Sequence, residues 1–284
     1  MYSVLEDTKF LMKKYNIVAN KSLGQNFLID DNVVDTIVSS ANISKNDLVI
    51  EIGPGLGTLT AKLLEKANKV IAIELDDKMV NILKNRFEFY NNFELLHDDI
   101  LKVNLKNLIQ NEMEKCSHVK IVANLPYYIT TPIIMKLLED KLPIESITVM
   151  VQKEVADRLT AIPGDKNTGA ISYSVSYYCI PEKLLLVPSS SFIPAPDVNS
   201  EVIQLKIRDV APVTLEDETL FFKIIKASFM QRRKTLLNGL SNAGIASKET
   251  IKNMLNDLGL SETVRGEALS LKQFADISNY LSKK

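Results

Sequence analysis

The 284-residue chain has no tryptophan, two cysteines and two histidines, and each scarcity removes a class of function. Cys116 and Cys179 are far apart and sit in no C-x-x-C or metal spacing, so a reducing compartment is expected. His97 and His118 have no partner pattern for zinc or a catalytic triad and are expected at strand ends or on the surface. No apolar run approaches the roughly 18 residues of a membrane span. The start, MYSVLEDTKF, has acids where a secretory leader needs a basic region. The expectation is a cytoplasmic protein with no membrane and no metal. The formal net charge of −1 gives no overall sign of a nucleic-acid partner, but its distribution is uneven. From Phe221 to Lys284 there are 11 Lys and Arg against 5 Asp and Glu, which leaves an acidic body with a basic tail suited to local contact with an anion.

What is present is alternation. DLVIEIG is followed by the helix pattern TLTAKLLEKAN, then KVIAIELD, DKMVNILKNRFEFY, FELLHDDI, a loop-helix stretch to about Cys116, VKIVANLP, TTPIIMKLLED and SITVMVQKEV. Strand and helix repeating in units of about 25 residues predict an α/β fold with a mainly parallel sheet. The near-continuous apolar strands imply burial on both faces. After Gly169 the pattern changes to a helix or strand and then a hairpin-like pair around a Pro-rich loop. From Thr214 the periodicity is helical, and Ser270 with Gln273 forms a capping box for a last helix. The boundary is expected near 208 to 215, giving an α/β domain over 1–210 and a small helical domain over 211–284.

In an open parallel sheet, ligands bind beyond the carboxyl ends of the strands. Gly53, Gly55 and Gly57 follow the first predicted strand and permit a tight turn that brings backbone N–H groups near a ligand. Thr58 stands where the dinucleotide fingerprint needs its third glycine, which disfavours a NAD-dependent dehydrogenase. Glu74, 21 residues past Gly53, could accept from ribose hydroxyls. Asp98 and Asp99 end the third strand, and either could accept from an adenine amino group. Asn124-Leu125-Pro126-Tyr127 ends the fourth. Gly53, Glu74, Asp99 and Asn124 thus mark four successive strand ends, 21, 25 and 25 residues apart, a pattern suited to an adenosine-containing ligand.

This constellation resembles the class I S-adenosylmethionine-dependent methyltransferases, which implies a Rossmann-like, mainly parallel seven-stranded sheet. Asn-Leu-Pro-Tyr is similar to the (Asn/Asp)-x-Pro-(Tyr/Phe) signature of enzymes that methylate an exocyclic amine of a base. Such an amine is a poor nucleophile because its lone pair is delocalised into the ring. The Asn124 side-chain oxygen and the Leu125 carbonyl, held by Pro126, could accept its two N–H bonds. Tyr127 could stack on the base, a contact of about 1–3 kcal/mol in single-strand binders. KSLGQNFLID, QKEVADRL, SFIPAPDVNSEV, SFMQRRKTLLNGL and RGEALSLKQFA look like the small-subunit ribosomal RNA adenine dimethyltransferases of the KsgA/RsmA type, in the same order and over some nine-tenths of the chain.

The resemblance implies dimethylation of two adjacent adenosines in the 3′-terminal hairpin loop of 16S rRNA, within the assembling 30S subunit, by a monomer. It implies S-adenosylmethionine as donor and S-adenosylhomocysteine as product. Asn26, Leu28, Gly53, Gly55, Glu74, Asp99 and Asn124 would hold the cofactor. Asn124, Leu125, Pro126, Tyr127 and Phe192 would hold the target, with Tyr127 and Phe192 sandwiching a flipped adenine. Lys21, Arg232, Arg233 and Lys234 would meet phosphates. Tyr128 stands where many relatives carry Asn, so its role is open. Two rivals share parts of this reading. One is a large-subunit adenine dimethylase of the macrolide-resistance type, opposed by KSLGQNFL and by the tail motifs. The other is an assembly factor that acts mainly by binding.

Overall fold

The computed structural model describes residues 3–20, 24–165, 167–231 and 233–283. By compactness the chain forms two units, Met1–Ala156 with Pro181–Ile207, and Asp157–Ile180 with Arg208–Lys284. The strands are β1 (Phe27–Leu28), β2 (Asp47–Ile52), β3 (Lys69–Glu74), β4 (Phe93–His97), β5 (His118–Asn124), β6 (Ser146–Gln152), β7 (Cys179–Val187), β8 (Phe192–Ile193) and β9 (Ser200–Ile207). Seven of them form one sheet in the order β4-β3-β2-β5-β6-β9-β7, while β1 and β8 pair separately. The pairs β4–β3, β3–β2, β2–β5 and β5–β6 are parallel, and β9 runs antiparallel to β6. The chain winds outward from β2 through β3 to β4, then returns to β5 on the other side of β2. The order of strands therefore reverses between β2 and β5, and a crevice opens there beyond the strand ends.

Burial explains the apolar strands. All six residues of β2 are buried, and on one face Val49, Val70, Val122, Met150 and Val202 pack against Val34, Ile37, Leu63 and Leu64 from helices Asp31–Ser40 and Thr58–Lys66. Side chains alternate faces along a strand, so Glu51 shares the face of Val49 and meets the second of these helices. Two helices near the start, Val4–Lys14 and Asp31–Ser40, go unassigned in the sequence reading. Their caps are legible in hindsight: Ser3 and Glu6 form a capping box, and Asp30 accepts from the N–H groups of Asn32 and Val33.

The second unit is helical around its own core of Tyr173, Tyr177, Phe221, Ile224, Leu240, Ile251, Leu255 and Phe274. AISYSVSYY resolves as a helix, Ala170–Tyr178. The fully buried Tyr173 packs edge-on against Phe274, 4.9 Å away, and donates its hydroxyl to the Leu269 carbonyl at 2.6 Å. These contacts group 157–180 with the helices beyond 208, so the grouping differs there from a single cut near 210. Asp217 caps helix Glu218–Met230, and Ser270 with Gln273 caps the last helix, Leu271–Ser282.

Candidate functional site

A cleft, partly open to solvent, lies at the carboxyl ends of β2, β3 and β5. It gathers ten residues expected from sequence: Asn26, Leu28, Gly53, Gly55, Glu74, Asp99 and Asn124 through Tyr127. Gln25, Glu51, Asp98 and Tyr128 line it as well.

The three glycines after β2 differ in their physical reasons. Gly53 and Gly55 have φ of +65° and +58°, which an L side chain resists, and both border the cleft. Gly57, with φ of +83°, is left-handed as well but does not line the cleft, and a Cβ there would also come within 2.6 Å of the Phe87 ring. It serves packing rather than ligand approach.

Glu74 is buried and held by three backbone donors. Its Oε1 accepts from the N–H groups of Leu75 at 2.8 Å and Asp76 at 2.9 Å, and its Oε2 accepts from Gly55 at 3.1 Å. A carboxylate has about four lone-pair sites, so roughly one is left for an incoming hydroxyl. Burial raises its pKa, and the three N–H groups pull the other way. Asp99 is half-buried. Its Oδ1 accepts from Leu101 N–H at 3.0 Å, and its Oδ2 lies 3.8 Å from the exposed Lys102 ammonium. Asp98 is exposed, and one of its oxygens is taken by the N–H of Asp99 at 2.7 Å.

The loop after β5 is pinned from several sides. Leu125 N–H donates to the Met150 carbonyl on β6 at 3.1 Å, and Thr130 Oγ1 donates to the Pro126 carbonyl at 3.0 Å. Asn124 Nδ2 donates to the Asn26 carbonyl at 3.4 Å, leaving Oδ1 without a donor among the described residues. The Tyr127 hydroxyl meets Ser200 Oγ at 2.5 Å, and burial raises the pKa of the phenol. Across the cleft, Gln25 Nε2 donates to Asp76 Oδ2 at 2.9 Å and ties the N-terminal segment to the end of β3.

Not every expected residue is in the cleft. Phe192 is only 3% exposed and packs in the core with Leu28 and Val187, because the β1–β8 ladder sets it opposite Leu28. It is not among the lining residues, so the two facing rings implied by the resemblance are not formed here. Arg233 and Lys234 are exposed in the second unit, ahead of helix Leu236–Asn242. Lys21 and Arg232 lie outside the described residues.

Sequence reasoning leaves two residues at the site without a role. Glu51 is 1% exposed, accepts from Thr60 Oγ1 at 2.6 Å and has its pKa pushed up to about 8 by burial. Its signal was a lone acid inside an apolar strand. Ser200 carried no signal, since its meeting with Tyr127 spans 73 residues and depends on strand register.

The donor set fits S-adenosylmethionine. Glu74 and Asp99 offer spare acceptors, the backbone at Gly53 and Gly55 has no Cβ in the way, and Asn124 has a side-chain oxygen free of any donor among the described residues. Among those residues, too, no cluster of His, Cys, Asp or Glu could hold a metal ion, and no helix is long and apolar enough to cross a membrane.

The model of the ribosomal RNA adenine dimethylase family matches residues 16–283. Ribosomal RNA small subunit methyltransferase A of Clostridioides difficile is 49% identical over 277 residues, which are 98% of this chain and 96% of that protein. Among solved structures, a dimethyladenosine transferase from Plasmodium falciparum superposes with a TM-score of 0.76 at 29% identity, covering 90% of this chain and 97% of that one. The 23S rRNA methyltransferase ErmE shares the fold, with a TM-score of 0.68 at 21% identity over 90% of this chain and all of that one. With the family model spanning nearly its whole length and close to half of all positions identical to a full-length relative, the chain belongs to the ribosomal RNA adenine dimethylase family.

Proposed function

We propose that this enzyme dimethylates N6 of two adjacent adenosines in the 3′-terminal hairpin loop of 16S rRNA, late in assembly of the 30S subunit in the cytoplasm. The observation that carries the reading is the meeting, in one cleft, of the Glu74 and Asp99 carboxylates with Asn124, whose Oδ1 has no donor among the described residues. S-adenosylmethionine, when bound, supplies a methyl group activated on a positively charged sulfur.

The chain's own residues do the rest. Glu74 accepts from a ribose hydroxyl and Asp99 from the adenine amino group of the cofactor. Asn26 and Leu28 close the N-terminal side of the pocket. Asn124 Oδ1 and the Leu125 carbonyl accept the two N–H bonds of the target amine. This pair favours a pyramidal nitrogen with its lone pair directed into the pocket. On gaining a methyl group the nitrogen would carry positive charge, which both acceptors would stabilise until one of its N–H protons is lost to solvent. The rate comes from alignment and from that stabilisation. Tyr127 supplies the stacking face, while Phe192 would have to leave the core packing to supply a second one. Arg233 and Lys234, with Lys21 and Arg232, are assigned to phosphate contacts.

The name of the Clostridioides relative supports the small subunit as substrate, and the likeness to ErmE bears on the fold alone. The test uses small subunits from cells lacking the modification, labelled S-adenosylmethionine and purified protein. About four methyl groups per small subunit are expected, from two bases each doubly methylated, with none on large subunits. Label on the large subunit would refute the reading in favour of the resistance type. Tight binding without label would favour an assembly factor.

A further inference from the structure

Stacking on a base needs a ring, not a hydroxyl, so the phenol oxygen of Tyr127 calls for its own explanation. Tyr127 opens a single 3₁₀ turn, Tyr127–Ile129, beyond a strand end, where a ring has two torsions to lose. Its hydroxyl is 2.5 Å from Ser200 Oγ, at the short end for O–H···O. Ser200 has no exposed surface and opens β9, paired across the ladder with Gln152 of β6. The backbone beside it is fixed too. The Asn199 carbonyl accepts from Lys153 N–H at 3.0 Å, and Asn199 Oδ1 accepts from Ser189 N–H at 3.2 Å. A loop-borne ring is thereby tethered at its far end to the seven-stranded sheet. Pro126 and the Leu125 bond to Met150 hold its near end.

We propose that Ser200 is a positioning residue for methyl transfer: through its bond to the Tyr127 hydroxyl it sets the plane of the ring on which the target adenine lies. The inference rests on the function proposed above, in which Tyr127 stacks on that adenine. A neutral phenol suits the role, and the raised pKa of Tyr127 keeps the pair uncharged through the neutral range. Misplacement of a reacting group by about 1 Å costs up to roughly 10²-fold in rate, and a ring free to tilt shifts the amine on that scale.

The test compares Ser200→Ala, Tyr127→Phe, their double variant and Ser200→Thr in the full chain. Small subunits lacking the modification are the substrate. S-adenosylhomocysteine binding is followed by calorimetry, and thermal unfolding is followed alongside. Both single variants should lose roughly ten- to a hundredfold in kcat, with S-adenosylhomocysteine affinity within twofold of the unsubstituted protein's. The double variant should be no worse than either single one, because both break the same bond. Ser200→Thr, which keeps the hydroxyl, should recover most of the rate. Losses that multiply in the double variant, or Ser200→Ala at full kcat, would overturn the proposal. So would a loss in kcat that only follows the melting temperature. Should Ser200→Ala fail to fold, Tyr127→Phe keeps both ring and strand, and its kcat alone decides. Failure of the unsubstituted protein to methylate small subunits would instead strike the functional reading on which the inference rests.

Discussion

At the amino ends of β2 and β5, Asp47 and Lys120 are both buried and 3.2 Å apart, whereas at the carboxyl ends of β2 and β3, Glu51 and Glu74 are buried with no cation against them among the described residues. The first pair is closed off by further partners. Lys120 Nζ donates to the Asn42 carbonyl at 2.6 Å and lies 3.6 Å from Glu145, and Asp47 Oδ2 accepts from Ser44 N–H at 2.8 Å. The second pair relies on a hydroxyl and on backbone N–H groups. Arg86, the cation that Glu51 feels, is committed to Asp7 and to the Leu56 carbonyl. Buried charge is costly unless paired. The same strands therefore pair a buried carboxylate with a cation at the amino ends, whereas at the carboxyl ends burial keeps the Glu51 proton on below about pH 8 and leaves Glu74 with backbone N–H groups alone. A desolvated carboxylate in a cleft is the physical mark of a functional site.

The largest break in this contrast is at the open end. In the proposed function Asn124 is an acceptor that acts as charge develops on the amine; Asn124→Ala removes it, and loss of one such group costs about 10²–10³ in rate. Methyl transfer to small subunits should fall by that factor while sedimentation with them persists. Full methylation by the variant would sink the role given to Asn124.

At the closed end the expected loss is stability instead. Lys120→Met strands Asp47, whose Oδ1 already lacks a partner among the described residues, and removing one member of a buried pair costs about 3–5 kcal/mol. Chemical denaturation should show that loss, with kcat of the remaining folded protein unchanged. A collapse in kcat at full stability would mean that the two ends are coupled and the contrast is false.

A smaller effect separates the ends by pH. Burial pushes Glu51 up to about 8 from an ordinary value of about 4.5; the Thr60 hydroxyl pulls it back, and the Glu74 charge adds to the rise. Between those values the folded state holds a proton that the unfolded chain has released, so stability falls as pH rises through the window. Glu51→Gln removes this contribution, in which each tenfold difference in proton affinity between the two states is worth about 1.4 kcal/mol. The variant should unfold much like the parent near pH 5 and be the more stable one near pH 8. Glu74, also raised by burial, keeps some slope in both. Identical slopes in the two proteins would show that Glu51 is ionised when folded.

Legibility followed the range of the interactions. Apolar strands and the four strand-end residues are local signals, and the parallel order and the cleft agree with them. The capping box of Ser270 and Gln273 was legible because its partners are three residues apart. By contrast, Tyr173 joins the helical unit through bonds to residues more than 90 positions away, and nothing in AISYSVSYY announces them. Phe192 reads as a stacking ring by motif, but its exposure is decided by the β1–β8 register. Gly57 looks like its neighbours in the glycine turn until Phe87 is placed beside it.

The smallest effect expected at the open end concerns Tyr128. Its ring lines the cleft, is 52% exposed and lies against Gly24, where a Cβ would be 3.4 Å from the ring. Burial raises its pKa, and the Asp99 and Glu74 charges add to that. A ring this exposed contributes at the low end of aromatic stacking, about 1 kcal/mol or roughly fivefold in affinity. Tyr128→Ala should weaken S-adenosylhomocysteine binding by that factor in calorimetry, and Tyr128→Phe should not, since the ring and not the hydroxyl makes the contact. Equal weakening in both would instead assign the hydroxyl to the ligand. No weakening in either would leave Tyr128 as a support for the Gly24 segment, and the open end would then owe its ligand affinity to the carboxylates alone.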